Sequence, residues 1–190
     1  MKLSKLLFLS MAGLGCIVMQ AQTVQVQSPA FSSTYNVRLL CPQQVLWTIH
    51  KSDIGTATRE PSWLFRADVP HPAAKATHSD YTGSGYDRGH LCPAADRSSS
   101  LSMMRATFVT SNIAPQRPAL NRGAWKKSEV FCRKAAERYD SVKVVALPLF
   151  RDRDTLRIGY HRLAVPHAFV KVAWLPANDS VIGQWFFFNY

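Results

Sequence analysis

The sequence predicts a single domain of the α+β class, and three features of the chain indicate it. Residues 121–139 contain no proline and can form one long helix, whereas residues 142–188 form short runs rich in β-branched and aromatic residues. Turn-forming residues separate these runs, which favours antiparallel pairing between successive strands. A length of 190 residues with 47% apolar residues suits one packed domain and excludes a disordered or fibrous chain.

Before the helix, the chain alternates between weak strand signals and long loops. Residues 23–40 give only weak signals, and the first clear strand is predicted at residues 45–50. Residues 51–88 are punctuated by Gly and Pro and are predicted to be mostly loop. A second strand is predicted at residues 105–111, and residues 115–118, which begin and end with proline, are predicted to interrupt regular structure.

The helix and the strands after it supply most of the expected core. The helix at residues 121–139 has an apolar stripe on one face, formed by Trp125, Val130, Ala135, Ala136 and Tyr139, and basic residues on the other face. Further strands are predicted at residues 142–149, 156–165, 169–175 and 181–188. Aromatic residues occupy positions 185–188, and this run indicates a core strand more than a platform for stacked bases.

The first 21 residues are predicted to be a signal peptide, which leaves residues 22–190 as one mature domain. Lys2 and Lys5 precede an uncharged, mostly apolar run at residues 6–19, which is too short to span a membrane. Residues 13–16 match a lipoprotein box poorly, so no lipid anchor is expected at Cys16. This pattern predicts an exported protein, either periplasmic or extracellular.

Removal of that segment leaves an odd number of cysteines. Cys41, Cys92 and Cys132 can form at most one internal disulfide, and their positions do not identify the pair. The chain has no Cys-x-x-Cys motif, which argues against a structural zinc site.

The chain is strongly basic, with a formal net charge of +11. From Arg88 to Arg138, ten Lys and Arg residues stand against three Asp and Glu residues, so this segment alone carries +7. A face that contacts phosphates explains this concentration. A solvated basic helix surface would explain the charge equally well if the charge stood alone. The partner classes compatible with the charge are nucleic acid, anionic lipid and acidic glycan.

Three blocks of residues in the basic region occur in a characteristic order. They are Tyr-Thr-Gly-Ser-Gly-Tyr-Asp-Arg-Gly-His-Leu at 81–91, Thr-Phe-Val-Thr-Ser-Asn-Ile-Ala-Pro-Gln at 107–116, and Asn-Arg-Gly-Ala-Trp at 121–125 with Glu129. This set resembles the DNA/RNA non-specific endonuclease family, the ββα-metal or His-Me finger nucleases of the endonuclease G-like type. The resemblance implies a mixed, largely antiparallel sheet that carries a ββα-metal finger, with flanking helices.

The resemblance also assigns roles to individual residues. It implies that His90 is the general base and that Asn121 is the direct ligand of one hydrated Mg²⁺, for which Mn²⁺ or another divalent ion can substitute. Glu129 would orient water on that metal. Phosphate-contacting arginines would be Arg59, Arg88 and Arg133, and supporting residues would be Asp87 and Asn112. The nucleic-acid contacts expected on the basic face are Arg88, Arg122, Lys126, Lys127 and Arg133.

These residue types suit phosphodiester hydrolysis. A neutral imidazole can accept a proton from water near pH 7, and general base catalysis contributes about 100- to 10,000-fold in rate. His90 therefore needs help from a divalent ion at the leaving oxygen and from arginines at the other phosphate oxygens. Asn121 and Glu129 are eight positions apart, a little over two helical turns, so both can face one groove.

Structural roles remain open for several of these residues. Asn121 can also be a helix N-cap, Glu129 can pair with Arg133 four positions on, and Asn112 can be purely structural. Asp87 is expected to orient the turn rather than bind metal. Five histidines lack motif context and are predicted to be ordinary surface or strand residues: His50, His71, His78, His161 and His167.

The sequence therefore predicts an exported, Mg²⁺-dependent endonuclease that cuts DNA and RNA to leave 5′-phosphate ends, as the resemblance implies. The alternative is a secreted protein that binds nucleic acid without cutting it, which would need the basic face but not His90 and Asn121. A protein that binds acidic glycan or lipid would leave the same two residues unexplained. The expected partners are DNA and RNA, with no membrane span, and a homodimer is compatible with the sequence.

Overall fold

The computed structural model describes residues 23–151 and 155–190, which form ten strands and three α-helices. The strands are β1 (Thr23–Gln27), β2 (Ser32–Asn36), β3 (Cys41–His50), β4 (Asp87–His90), β5 (Ile113–Gln116), β6 (Ser141–Leu149), β7 (Arg157–Ile158), β8 (Leu163–Ala164), β9 (Ala168–Leu175) and β10 (Ser180–Phe188). The helices are α1 (Leu101–Arg105), α2 (Pro118–Leu120) and α3 (Lys126–Tyr139), with a π-helical turn at Asn121–Trp125 between the last two. Short 3₁₀ turns lie at Lys51–Asp53, His78–Tyr81, Ala94–Arg97 and Thr110–Asn112.

A six-stranded sheet in the order β1-β2-β3-β6-β9-β10 forms the centre of the fold, and each neighbouring pair is antiparallel. Alternate residues of β6 are buried, as expected for a strand with one face in the core. Helix α3 packs on this face, with Trp125 and Cys132 in the same apolar cluster as β3, β6 and β9. An isolated parallel bridge joins Arg66 and Val109. The predicted α+β class with a largely antiparallel sheet is confirmed.

The second structural unit is a ββα finger beside the main sheet. β4 and β5 pair antiparallel, with Asp87 opposite Gln116 and His90 opposite Ile113. From β5 the chain passes through α2 and the π-helical turn into α3. The finger therefore places the end of β4 beside the start of the long helix.

The strand predicted at residues 105–111 is wrong. Helix α1 ends at Arg105, a 3₁₀ turn occupies Thr110–Asn112, and the strand begins only at Ile113. The apolar residues Phe108 and Val109 suggested a strand, but both are buried in a region of loops and turns. The interruption predicted at residues 115–118 is partly wrong. Strand β5 runs through Pro115 to Gln116 and pairs on one side only, so regular structure is interrupted only at Arg117, before α2 begins.

The predicted apolar stripe of the long helix is partly wrong. Val130 and Tyr139 are 37% and 46% exposed. The buried face of α3 consists of Ser128, Cys132, Ala135 and Ala136, which continue from Trp125 at helical spacing. These residues are small, and the hydroxyl of Ser128 is satisfied by hydrogen bonds with Trp125 and Lys171, so the buried face does not need large apolar side chains.

The remaining predictions concern the strand at residues 156–165, the three cysteines, the signal peptide and membrane spans. The strand predicted at residues 156–165 is two short strands, β7 and β8. Cys41, Cys92 and Cys132 are buried and free of disulfides. The predicted signal peptide lies outside the described residues. Within those residues, no helix is both long and apolar enough to cross a membrane.

Candidate active site

A cavity of about 610 Å³ lies where the ββα finger meets α3 and the loop after β3. It brings together nearly all of the residues that the sequence singled out. The predicted residues that line it are Arg59, Asp87, Arg88, His90, Asn121, Arg122, Lys126, Glu129 and Arg133. Two predicted residues, Asn112 and Lys127, do not line it.

His90 ends strand β4 and lies between two aromatic rings. Its ring centroid is 4.9 Å from that of Phe65 and 4.7 Å from that of Phe108. The Nε2 atom is buried and has no hydrogen-bond partner among the described residues. Burial, with the positive charge of Arg59, lowers the pKa of His90 to about 3. The imidazole is therefore neutral near pH 7, and its ring lines the cavity while Nε2 is buried against the protein.

The side chain of Asn121, in the π-helical turn, is held by Asp87 at the start of strand β4. The Asn121 Nδ2 atom donates to Asp87 Oδ2 at 2.9 Å, so the amide oxygen is the atom left to act as a ligand. Arg122 donates to both oxygens of the same carboxylate, at 2.9 and 2.7 Å. Burial alone would raise the pKa of Asp87, but the hydrogen bonds from Arg122 and Asn121 lower it below its usual range. Asp87 thus stays ionised and orients Asn121, beyond the turn-orienting role predicted for it.

Glu129 lines the cavity one turn into α3. Burial raises the pKa of Glu129 to about 7, against the opposing pull of the Lys171 ammonium. The ion pair considered between Glu129 and Arg133 is absent among the described residues, because Arg133 donates instead to Asp96 at 2.7 Å. Glu129 therefore lines the cavity without an ion pair to Arg133.

The three predicted arginines are held in different ways. Arg88 donates to the carbonyl of His78 and to the hydroxyl of Thr82. Arg133 is fixed by the buried carboxylate of Asp96, whereas Arg59 is exposed and lies 5.4 Å from the centroid of Phe108. Hydrogen bonds to the protein therefore constrain Arg88 and Arg133, and Arg59 is placed mainly by its contact with an aromatic ring.

Asn112 is fully buried behind the cavity. Its Oδ1 accepts from the backbone N–H of Cys92, and its Nδ2 donates to the carbonyls of Cys92 and Thr107. The backbone N–H of Leu91 donates to the Asn112 carbonyl. These bonds hold the chain just after His90, so Asn112 contacts the scaffold of the site rather than the cavity.

The sequence missed two charged or titratable residues near the site. His78 lines the cavity, and its Nδ1 accepts from the backbone N–H of Phe65, although it was predicted to be an ordinary surface or strand histidine. Lys171 on β9 is buried below α3, with Nζ 3.0 Å from Ser128 Oγ and 3.6 Å from the Trp125 ring centroid. A lysine in an otherwise apolar strand was the only available signal for Lys171.

Trp125 links this buried lysine to the general-base candidate. Its Nε1 donates to the carbonyl of His90 at 3.1 Å. Its ring packs edge-on against Phe169 and Phe187, with centroids 5.4 and 5.3 Å away. The tryptophan therefore joins β4 to the start of α3.

The donor set in the cavity is of the kind that could hold a hydrated divalent cation. Asn121 offers one amide oxygen and Glu129 one carboxylate, whereas no group of three or more His, Cys, Asp or Glu side chains converges within residues 23–151 and 155–190. Mg²⁺ commonly keeps several waters and gains substrate phosphate oxygens at such sites. The set lacks the four ligands of structural zinc.

The chain is similar to curated nucleases over most of its length. It is 39% identical to the mitochondrial endonuclease G of Bos taurus over 137 residues, which are 67% of this chain and 46% of that protein. It is 37% identical to a nuclease of Nostoc sp. over 62% of this chain and 43% of that protein. It is 34% identical to the mitochondrial nuclease of Saccharomyces cerevisiae over 75% of this chain and 47% of that protein. The chain thus spans less than half the length of each of these relatives.

These relatives correct the predicted localisation. Proteins of Bos taurus, Homo sapiens, Mus musculus and Saccharomyces cerevisiae that match the chain are named as mitochondrial nucleases. Their names overturn the expectation of a periplasmic or extracellular protein. The physical reason is that a targeting segment is an address read by a receptor, so a basic start and an apolar run do not by themselves determine the compartment.

The fold and the family agree with the geometry of the cavity. A solved structure of the EndoG/EndoGI complex matches with a TM-score of 0.78 and 25% identity, and the match covers 87% of this chain and 74% of that chain. The sequence model of the DNA/RNA non-specific endonuclease family matches residues 16–187, a range that contains every residue of the cavity. The chain therefore belongs to the DNA/RNA non-specific endonuclease family.

Proposed function

We propose that residues 22–190 act as one sugar-non-specific endonuclease domain that hydrolyses phosphodiester bonds of DNA and RNA. The observation that carries this proposal is the shared cavity, which a neutral His90 and the oriented amide of Asn121 both line. The nuclease names of the relatives support the reaction class. A protein that only captured nucleic acid would need neither residue.

His90 is the general base in this proposal. Its imidazole is neutral and takes a proton from the attacking water. A pKa of about 3 describes a weak base, but part of this depression comes from the charge of Arg59. A phosphate bound beside Arg59 offsets that charge and favours protonated His90. Substrate binding therefore offsets the smaller cause of the low pKa, whereas burial, the larger cause, remains.

Asn121 and Glu129 are the residues that would hold a divalent ion, Asn121 directly and Glu129 through water. A bound Mg²⁺, or Mn²⁺ in its place, supplies charge neutralisation for the leaving oxygen. Asp87 keeps the amide of Asn121 turned so that its oxygen is free to bind. Arg59, Arg88 and Arg133 would bind the remaining phosphate oxygens, for which the planar guanidinium group is suited.

We expect His90→Ala to abolish cleavage and to leave nucleic-acid affinity within a few-fold, because the imidazole acts on water and the arginines hold phosphate. The measurement is cleavage of supercoiled plasmid and of RNA with Mg²⁺ or EDTA, together with binding by fluorescence anisotropy. His71→Ala, outside the cavity, is the matched control. Unchanged turnover in folded His90→Ala protein would show that His90 is not the base, and EDTA-resistant cleavage would remove the metal from the proposal.

We expect Asn121→Ala to raise the Mg²⁺ concentration needed for half-maximal activity and to lower the rate more than Glu129→Ala does. Loss of a direct ligand removes one bond to the ion, whereas loss of a group that acts through water commonly costs about 10- to 100-fold. Titration of activity with Mg²⁺ for both variants makes the comparison. The reverse order would assign the direct ligand to Glu129.

A further inference from the structure

Two more cavities continue from the active site across the molecule. A cavity of about 240 Å³ shares Tyr86 with the active-site cavity. A larger cavity of about 1030 Å³ shares Arg151, Thr155 and His167 with that second cavity. Because they share lining residues, the three cavities adjoin one another. This row of cavities, called the depression below, extends from the finger past the C-terminal residues to the ends of β2 and β6.

Positive side chains predominate among the described residues that line the two outer cavities. Their arginines are Arg38, Arg117, Arg151 and Arg157, named here the arginine track. Among the described residues, no Asp or Glu lines either cavity, whereas Asp87 and Glu129 line the active site. Apart from Arg117, the track lies outside the basic segment at residues 88–138, so only the folded chain groups these arginines.

The geometry of the track suits phosphate. The guanidinium carbon of Arg117 lies 4.6 Å from the ring centroid of Tyr86, at the boundary with the active site. Arg157 donates to the carbonyls of Arg38 and Arg162, which fixes its position. Guanidinium groups bind phosphate oxygens through paired hydrogen bonds, and such contacts dominate affinity for nucleic acid.

Exposed aromatic rings lie along the same depression. Phe188 and Tyr190 line the second cavity and are 55% and 84% exposed. Their ring centroids are 5.1 Å apart with planes 25° from parallel. A basic groove that also carries exposed aromatic rings is the arrangement that binds single-stranded nucleic acid without sequence preference. Duplex bases are already stacked on each other, so these rings favour a single strand.

We propose that the arginine track is a second binding surface for a single strand of DNA or RNA, occupied by the part of the substrate beyond the cleaved phosphate. The proposal rests on the nuclease function proposed above. The phosphates bind to Arg117 and Arg151, and unstacked bases lie against Phe188 and Tyr190. Long single strands therefore bind through both the active site and the track, whereas short ones reach only the active site.

The test compares single-stranded oligonucleotides of four and twenty nucleotides. Variants are Arg117→Ala with Arg151→Ala, and Tyr190→Ala. The matched control is Lys51→Ala with Lys75→Ala, which removes two exposed positive charges that line none of the three cavities. For each protein, the measurements are KM and kcat on both lengths and the salt dependence of affinity for the longer one.

We expect the track variants to raise KM for the longer strand by about tenfold, with kcat and the tetranucleotide KM unchanged. The log-log salt slope should fall by roughly 0.7 for each phosphate that the variant no longer binds. An equal rise in KM for both strand lengths, or an equal rise in the control variant, would show that the arginine track does not bind the longer strand. The affinity of each track variant for the longer strand is also measured in the His90→Ala background, so the track is tested without cleavage. If no protein cleaves, the nuclease function is refuted but the affinities still decide whether the track binds a strand.

Discussion

The environment of His90 in the folded protein gives its imidazole a pKa different from that in the unfolded chain. The imidazole packs between Phe65 and Phe108 with its Nε2 unpartnered, and burial with the charge of Arg59 lowers its pKa from 6.5 to about 3. Between these two values the unfolded chain binds a proton that the folded protein does not bind. The folded state therefore loses stability as the pH falls from about 6.5 towards 3.

We expect His90→Gln to remove this pH dependence. Above pH 6.5 both proteins keep one charge state at this position, so the difference in unfolding free energy between wild type and variant is constant. Below pH 6.5 the wild type should lose stability relative to the variant by up to about 1.4 kcal/mol per pH unit. Urea unfolding at pH 7, 6 and 5 measures this, and a difference that does not vary with pH would contradict the burial of a neutral His90.

The residues that the sequence could identify are those in ordered blocks. His90, Asn121 and Glu129 lie within 40 positions of each other, in the blocks that carry the family resemblance, and that resemblance identified them. Lys171 and His78 lie outside the blocks, and only the folded chain shows that both are close to the site. Their role depends on contacts between distant elements, which spacing along the chain does not encode.

At the scale of elements, the finger depends on a close approach between β4 and β5. Gln116 is fully buried, and its side chain covers Gly89 on the neighbouring strand. A Cβ atom at position 89 would lie 2.1 Å from Gln116 Oε1 and 2.6 Å from its Cγ. The glycine between Arg88 and His90 is therefore required by packing within the finger.

We expect Gly89→Ala to destabilise the protein by about 1 to 3 kcal/mol through overpacking. Gln116→Ala removes the atoms that would clash, so the double variant should recover most of the loss caused by Gly89→Ala when it is compared with Gln116→Ala alone. The measurement is the unfolding free energy of the four proteins in a double-mutant cycle. Additive effects would show that the alanine is accommodated without contact with Gln116.

The elements predicted best were those with clear boundaries in the sequence. The main-sheet strands β3, β6, β9 and β10 and the helix were recognised within a few residues. The strand β5 was missed because Pro115 lies inside it and the apolar residues before it are buried in a loop. A two-stranded finger pairs each strand on one side only, so it tolerates the proline that sequence rules treat as a break.

At the scale of the whole molecule, the fold divides the positive charge between surfaces. The sequence placed Lys126 and Lys127 together on one basic face, but only Lys126 lines the active-site cavity. The two lysines are adjacent and exposed in the first turn of α3, so the main difference between them is that only Lys126 lines the cavity. This pair separates the effect of net charge from the effect of position.

We expect Lys126→Ala to weaken binding to duplex DNA and to reduce the log-log salt slope by roughly 0.9, the value that corresponds to a single phosphate contact. Lys127→Ala, which removes the same charge outside the cavity, should change the slope less. Both variants should keep the single-turnover rate at saturating substrate, because neither ammonium acts on the reacting water. Binding isotherms at several salt concentrations, with that rate, make the comparison. Equal slopes for the two variants would show that net charge alone sets affinity, and a collapsed rate for Lys126→Ala would place its ammonium at the reacting phosphate.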